Sequence, residues 1–406
     1  MDLTYMTSEH GCTVAVYMPT YNHEPYIAKA IEGVLMQQTD FPVKVIISED
    51  LSTDRTREIC RTYREKYPEK IELILARANT RSHIRMALYE RCFNCGADYI
   101  AMCEGDDYWT DAQKLQKQVD FLEGHRDFTM CQHRTRYLHE NEHRLGSVMA
   151  CAQEVMTFSD ILSRNIFQTA VDRSVTTHTS SFMFRAELFK RYGLPPRFTE
   201  VVGADHYLQL WAAFQGKIRV LNDVMSVYRV HDTGASQGSR ESPAVKLRAQ
   251  IEQYKIYQEV FPSQYSEEIG FLIQALELKL KLHSGNTPGR RESMDQLFLY
   301  AAWMWKKLTV DEKKRVALYG TGEHTRCLIE KIKKLSLPLP TCILNDEDRD
   351  SALYDIPVYS LNTTHRHKYD VLALSSSRYQ GTMREKVKTV FGDDSFVYDF
   401  YESYAP

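Results

Sequence analysis

A chain of 406 residues, 43% hydrophobic and 26% charged, has material for two or three buried cores and the composition of neither a disordered nor a membrane-embedded protein. Its formal net charge of -3 excludes bulk electrostatic binding of nucleic acid, which needs a basic face. The nine cysteines are odd in number and scattered through predicted strands and helices, the pattern of reduced, buried thiols, and they predict a cytosolic protein.

Met1 to Cys12 is mixed polar and predicts no signal peptide. Val14 to Met18 then reads as a strand that Pro19 breaks, followed by a helix through Ile27, Ile31, Val34 and Leu35 at helical spacing. Val43 to Ile47 is a second strand, and Ser52 or Thr53 is expected to cap the helix carrying Ile59 and Tyr63. Ile71 to Leu75 is a third strand, and a helix from about Arg85 to Cys95 leads to the next. Cys92 and Cys95 have CxxC spacing, but no second pair completes a zinc site, so helix packing is the reading. Strands alternating with helices predict a doubly wound, mostly parallel α/β sheet with polar residues gathered at one edge.

The apolar run from Tyr99 to Cys103 ends abruptly in Glu104, Gly105, Asp106 and Asp107. Carboxylates this close repel one another unless a proton or cation intervenes. At the carboxyl edge of an α/β sheet, a hard divalent ion shared with substrate phosphates resolves that conflict. An acidic surface turn capping the following helix, Asp111 to Gly124, is the alternative.

Taken in order, these pieces resemble the inverting, nucleotide-sugar-dependent glycosyltransferases of the large family 2 type, which have the GT-A fold. The resemblance rests on Pro19-Thr20-Tyr21-Asn22, on Glu49-Asp50 with Ser52 to Thr56, and on Glu104 to Trp109. It continues through Lys114-Leu115, Ser180 to Arg185, Gly203-Ala204-Asp205 and Tyr228 to His231, and covers about Thr13 to Gln237. The ordered set is a strong signal although each piece alone is weak. It implies a nucleotide-diphosphate sugar donor of UDP or dTDP type, a glycan, lipid-linked or protein acceptor, and Mg²⁺ or Mn²⁺ as cofactor.

Carried over residue by residue, the resemblance gives Asp50 to the nucleotide base, with a helix cap as its alternative. Pro19, Thr20, Tyr21 and Asn22 form the loop under the nucleoside, and Arg85 lies near the diphosphate or on a solvated helix face. Asp107 is the expected metal ligand, with Glu104 and His231 completing the site and Asp106 at the ribose or a metal-bound water. The motif here opens with Glu104-Gly105 where the family usually has Asp, which unsettles that division of labour. Asp205 is the expected general base, since one carboxylate must take the acceptor proton in a single displacement. Capping of the helix behind it is the alternative, with Glu200 as the reserve base. A nucleotidyltransferase would want a glycine-rich, basic phosphate loop in place of Pro19 to Asn22, and a degenerate donor-binding scaffold would not need Asp50, Asp107 and Asp205 together.

Beyond Ser239 the pattern changes. Ala244 to Lys281 and Met294 to Leu308 read as helices, and Leu297 to Trp305 is apolar nearly all round: a buried helix, with peripheral membrane contact at the inner face as the sharper reading. Arg315 to Thr325 then opens a Rossmann-like βα unit, with a helix from Arg326 to Leu335 and strands at Cys342 to Leu344, Val371 to Leu374 and Phe396 to Tyr398. Thr325 replaces the third glycine of the dinucleotide fingerprint, which favours a scaffold or homo-oligomer contact over a cofactor site. The expected division is a GT-A domain over 1–239, a helical linker over 240–312 and a smaller Rossmann-like α/β domain over 313–406.

Overall fold

The computed structural model describes residues 3–6, 14–77, 89–140, 144–149, 154–163, 178–231, 242–283, 301–302, 305, 309, 315–334, 337–346, 351–375, 380–392, 394 and 397–399. It divides into two compact units, Met1–Gln168 with Asp172–Ile273, and Gln274–Pro406 with Thr169–Val171. The boundary between Ile273 and Gln274 falls inside the stretch expected to be a helical linker. Among the described residues no helix is long and apolar enough to cross a membrane.

The first unit runs β1 (Leu3–Met6), β2 (Val14–Thr20), α1 (Ile27–Leu35), β3 (Val43–Glu49), α2 (Thr56–Lys66), β4 (Ile71–Ala76), β5 (Tyr99–Met102), β6 (Tyr108–Trp109) and α3 (Lys114–Gly124). It continues with β7 (Phe128–His139), β8 (Arg144–Val148), β9 (Val155–Met156), α4 (Phe158–Ser163), β10 (Met183–Arg185), α5 (Ala186–Tyr192), α6 (Ala204–Gln215), β11 (Lys217–Val230), α7 (Pro243–Val260) and the start of α8 (Ser266–His283). One sheet holds its strands in the order β1-β4-β3-β2-β5-β10-β7-β11-β6, with β8 on β7 and β9 on β11. Its centre, β4-β3-β2-β5, is parallel, and β5-β10-β7 is antiparallel. Val14, Val16 and Met18 of β2, Val45 and Ile47 of β3 and Ile27, Ile31 and Val34 of α1 bury one side of that centre, as buried central strands require.

Several expectations are corrected. Pro19 does not break β2, which continues to Thr20. The ladder of β2 with β5 ends at Tyr17, so the missing proline N–H faces no strand; the Pro19 carbonyl instead accepts the Gly105 N–H at 3.0 Å. The predicted helix over 244–281 is two helices, α7 and α8, parted around Pro262, whose ring cannot continue a helix. α2 is not capped by Ser52 or Thr53; Asp54 Oδ1 accepts the Thr56 N–H at 3.0 Å. Residues 89–93 of the predicted 85–95 helix are helical, and most of the predicted 294–308 helix lies outside the described residues.

The second unit contains β12 (Val316–Tyr319), α9 (Glu323–Lys334), β13 (Cys342–Asn345), β14 (Ser351–Leu353), β15 (Ile356–Ser360), β16 (Val371–Leu374), α10 (Gln380–Phe391) and β17 (Val397–Asp399). Its strand order is β14-β15-β13-β12-β16-β17, parallel except for β14. Gly320 turns the chain after β12 at φ +111°, a conformation that needs glycine. The Thr325 hydroxyl closes that turn, 2.8 Å from the Gly320 carbonyl and 2.6 Å from Ser375 Oγ.

Candidate active site

The loops after β2 and β3 are locked to each other. Asn22 Oδ1 accepts the Thr53 N–H at 2.8 Å while Ser52 Oγ accepts the Asn22 N–H at 3.0 Å. Thr56 Oγ1 accepts from the His23 N–H, and Asp54 Oδ2 from the Glu24 N–H. Two non-glycine residues here have left-handed backbones, Asn22 at φ +53° and Leu51 at φ +59°. Asparagine tolerates this conformation, whereas leucine stores strain of order 1–3 kcal/mol, of the kind that clusters at functional sites. Behind them the buried Glu49 carboxylate accepts the Ser52 N–H at 2.6 Å and pairs with Arg57, which bonds the Ala76 carbonyl at 2.7 Å. Asp50 emerges half-buried beside Thr20, its N–H bonded to the Thr20 carbonyl at 3.1 Å.

The acidic motif follows β5. Asp107 is fully buried; its Oδ1 accepts the Arg229 N–H at 3.0 Å and its Oδ2 the Ser180 hydroxyl at 2.7 Å, with His178 Nδ1 3.2 Å away. Burial, and then the neighbouring Asp106 charge, push its carboxyl well above the usual range. Asp106 lies between two imidazoles, 3.3 Å from His231 Nε2 and 3.5 Å from His23 Nε2. Burial raises its carboxyl, but the His231 hydrogen bond and both imidazoles together hold it below its ordinary value. Glu104, Asp107 and His178 present ligand atoms within 4.8 Å of one another.

Gly105 is required by space. A Cβ there would stand 2.6 Å from Thr20 Oγ1 and 2.8 Å from His23 Nδ1. Gly105→Ala is therefore expected to destabilise the chain by roughly 1–3 kcal/mol and to push the acidic motif away from Thr20. A denaturation midpoint equal to wild type would show that the two loops can part at no cost.

One short turn, Thr179–Ser181, joins the motif to Asp205. Ser180 Oγ donates to Asp107 and accepts the Glu104 N–H at 3.2 Å, while the Thr179 hydroxyl donates to Asp205 Oδ2 at 3.4 Å. Two side chains hold this turn by its carbonyls: Trp109 Nε1 donates to Ser180 O at 2.8 Å and Gln118 Nε2 to Ser181 O at 2.9 Å. Lys114 braces both, its ammonium 3.8 Å from the Trp109 ring centroid and 2.6 Å from Gln118 Oε1. Asp205 occupies the first turn of α6 but does not cap it; the N-cap is Gly203.

Burial pushes the Lys114 ammonium down to about 7. An unfolded lysine titrates near ~10.4, so between these values the unfolded chain binds more protons than the folded one, and stability rises with pH across that window. Below about pH 7 both states are charged and the full burial penalty remains, offset in part by the Trp109 face. Wild type is expected to gain more melting temperature from pH 7 to 9 than Lys114→Met does. Parallel melting curves for the two proteins would remove Lys114 from this role.

The structure thus gathers Thr20, Asp106 and Asp107 with Glu104, and reaches Asp205 through the turn. Pro19 contributes its carbonyl to Gly105, Asn22 spends its side chain on Thr53, and Tyr21 is 40% exposed. His231 stands against Asp106, apart from the Glu104–Asp107–His178 group. Arg85 lies outside the described residues. Glu200 is exposed and paired with Arg197 at 2.7 Å, which holds its carboxyl down. Sequence reasoning missed His178; the one available signal was its position directly before the Thr179 to Arg185 motif.

Residues 15–193 match the family model of glycosyl transferase family 2. The chain is 35% identical over 217 residues to an uncharacterized protein of Mycobacterium tuberculosis, Rv1520, covering 53% of this chain and 58% of that one. It is 36% identical over 118 residues to the putative glycosyltransferase EpsE of Bacillus subtilis, covering 29% of this chain and 41% of that protein. The solved structure of S. aureus TarS 1–349 in complex with UDP-GlcNAc aligns over 85% of this chain and 95% of its own, at 15% identity and a TM-score of 0.48. Residues 15–193 therefore carry a family 2 glycosyltransferase domain. The chain spans about 58% of the length of the mycobacterial relatives it matches.

Proposed function

We propose that this protein is an inverting glycosyltransferase that moves a sugar from a nucleoside diphosphate donor to an acceptor hydroxyl, with Asp205 as general base. The observation that carries the reading is the turn Thr179–Ser181, in which adjacent residues hold Asp205 and Asp107. In-line displacement needs base, acceptor and departing diphosphate in fixed relation, and a common support supplies that geometry.

In this reading the interlocked loops seat the nucleoside, with Thr20 beneath it and Asp50 accepting the imide N–H of uracil or thymine. The two carboxylates and one imidazole of Glu104, Asp107 and His178 fit a divalent ion, and this mixed donor set suits Mn²⁺ better than Mg²⁺. Such an ion, when bound, compensates the charge on the departing diphosphate. Ser180 and the Arg229 N–H hold the Asp107 carboxylate in place, and Thr179 orients Asp205 toward the acceptor hydroxyl, whose proton Asp205 takes.

A thermal-shift panel of UDP-, dTDP- and GDP-sugars with and without Mn²⁺ tests donor and metal together. A shift of several degrees for one donor class, larger with Mn²⁺, is expected. Inversion is read from the anomeric coupling constant of the product by NMR. No shift with any sugar nucleotide would sink the proposal.

A further inference from the structure

Lys114 is fully buried, and among the described residues its ammonium pairs with no carboxylate. The ionisable groups that act on it are the thiols of Cys103 and Cys131, themselves kept neutral by burial. It stands at the first position of α3, where the helix dipole disfavours a cation. An apolar side chain of the same length would serve packing alone better, because a buried charge without an opposite charge costs stability.

What the ammonium does is fix an amide. A glutamine amide can present either end, but an ammonium only donates, so Lys114 selects Gln118 Oε1 and leaves Nε2 to face carbonyls. Nε2 donates to Ser181 O at 2.9 Å and to Cys131 O at 3.4 Å. Trp109 Nε1, also only a donor, holds Ser180 O at 2.8 Å. Two successive carbonyls of one turn are thus gripped by donors from α3 and β6, while the hydroxyls of Thr179 and Ser180 go to Asp205 and Asp107.

We propose that Lys114 and Gln118 are positioning residues of the transfer step: the ammonium fixes the amide, the amide fixes the turn, and the turn sets Asp205 against Asp107. The inference rests on the glycosyltransferase reading above and adds to it a pair that bonds neither carboxylate directly. The Thr179 bond to Asp205, at 3.4 Å, is already at the long end of a hydrogen bond, so a small displacement of the turn breaks it. Misplacement by about 1 Å can slow a reaction roughly 10²-fold, even when its origin lies far from the chemistry. The nucleoside loops are insulated from the brace, since Asn22, Ser52 and Thr53 lock them to each other.

Lys114→Met in the full chain separates this role from packing. Methionine fills the same space and relieves the buried charge, which offsets the loss of a partner for Gln118 Oε1, so the melting temperature at pH 7 is expected within about 4 °C of wild type. Turnover is read as nucleoside diphosphate released from UDP-GlcNAc, UDP-glucose, dTDP-rhamnose and GDP-mannose with Mn²⁺, water standing in for the acceptor and giving its proton to Asp205. It is expected to fall by roughly 10–100-fold, while UDP affinity by calorimetry stays within about threefold of wild type. Trp109→Phe keeps a ring face for Lys114 and removes the Nε1–H; it is expected to lower turnover in the same way, and it carries the test if Lys114→Met does not fold. Wild-type turnover in either folded variant overturns the inference, as does a fall in turnover matched by an equal fall in UDP affinity. Release of diphosphate from none of the four donors by wild type overturns the transferase reading, and this inference with it.

Discussion

Asp205→Asn is expected to lower turnover by roughly 10²–10⁴-fold, about 3–5 kcal/mol in the barrier, while leaving donor affinity near wild type. General-base catalysis acts only in the transfer step, so donor binding does not report it. Stability is expected to change by less than about 1 kcal/mol, because Gly203 and not Asp205 is the N-cap of α6 and the Thr179 hydroxyl can equally donate to an asparagine oxygen. Transfer rate and donor dissociation constant, measured side by side on the folded variant, decide it. Near-normal turnover would end the assignment. Glu200 would not inherit the role easily, since Arg197 already engages its carboxylate.

The Mn²⁺ dependence of nucleotide binding is expected to vanish in His178→Ala and to survive in His231→Ala. His178 belongs to the Glu104–Asp107 group, whereas His231 contacts Asp106. Loss of a ligand or its immediate support lowers metal affinity by roughly 10–100-fold or more. Calorimetry of UDP binding with and without Mn²⁺ measures this directly. The reverse pattern, dependence lost with His231 and kept without His178, would move the ion to Asp106. Asp107→Asn is a less selective probe, because the buried carboxylate also holds Ser180 and the Arg229 N–H.

Much of the first unit was legible because its strands are buried on both sides and read as continuous apolar runs: β2, β3, β4 and β5 were each found within two residues of their ends. The acidic motif was legible for the opposite reason, since three carboxylates after an apolar run conflict with burial unless something resolves them. What stayed hidden are contacts between distant segments. β7 is rich in polar residues (Gln132, His133, Arg134, Thr135, Arg136) and shows no apolar alternation, so its pairing with β11 could not be read. His178 had no metal-ligand spacing to Glu104 or Asp107, because the chain between them folds through β7 before returning. In Lys114 a charged residue stands where an amphipathic helix reading would place solvent, yet it is fully buried. Its partners, Trp109 and Gln118, come from either side of it in sequence, and only the fold makes them a brace.

The last stretch of β11, with His231 directly after it, works as a comb with teeth on both sides. Tyr228 meets His178 and Tyr137, its neighbour Arg229 meets Tyr26, Tyr108 and Glu140, and His231 meets Asp106. The phase of this comb is set upstream, where the pairing of β11 with β7 slips between Leu221 and Val224 and again between Val224 and Ser226. Deleting a single residue there would send every tooth to the wrong side, trading aromatic for cationic groups across the strand. A segment with no contact to the acidic motif therefore sets the phase for the residues on both sides of the strand. Substitutions in Asn222 and Asp223 should be tolerated far better than any change in the length of the bulge that contains them.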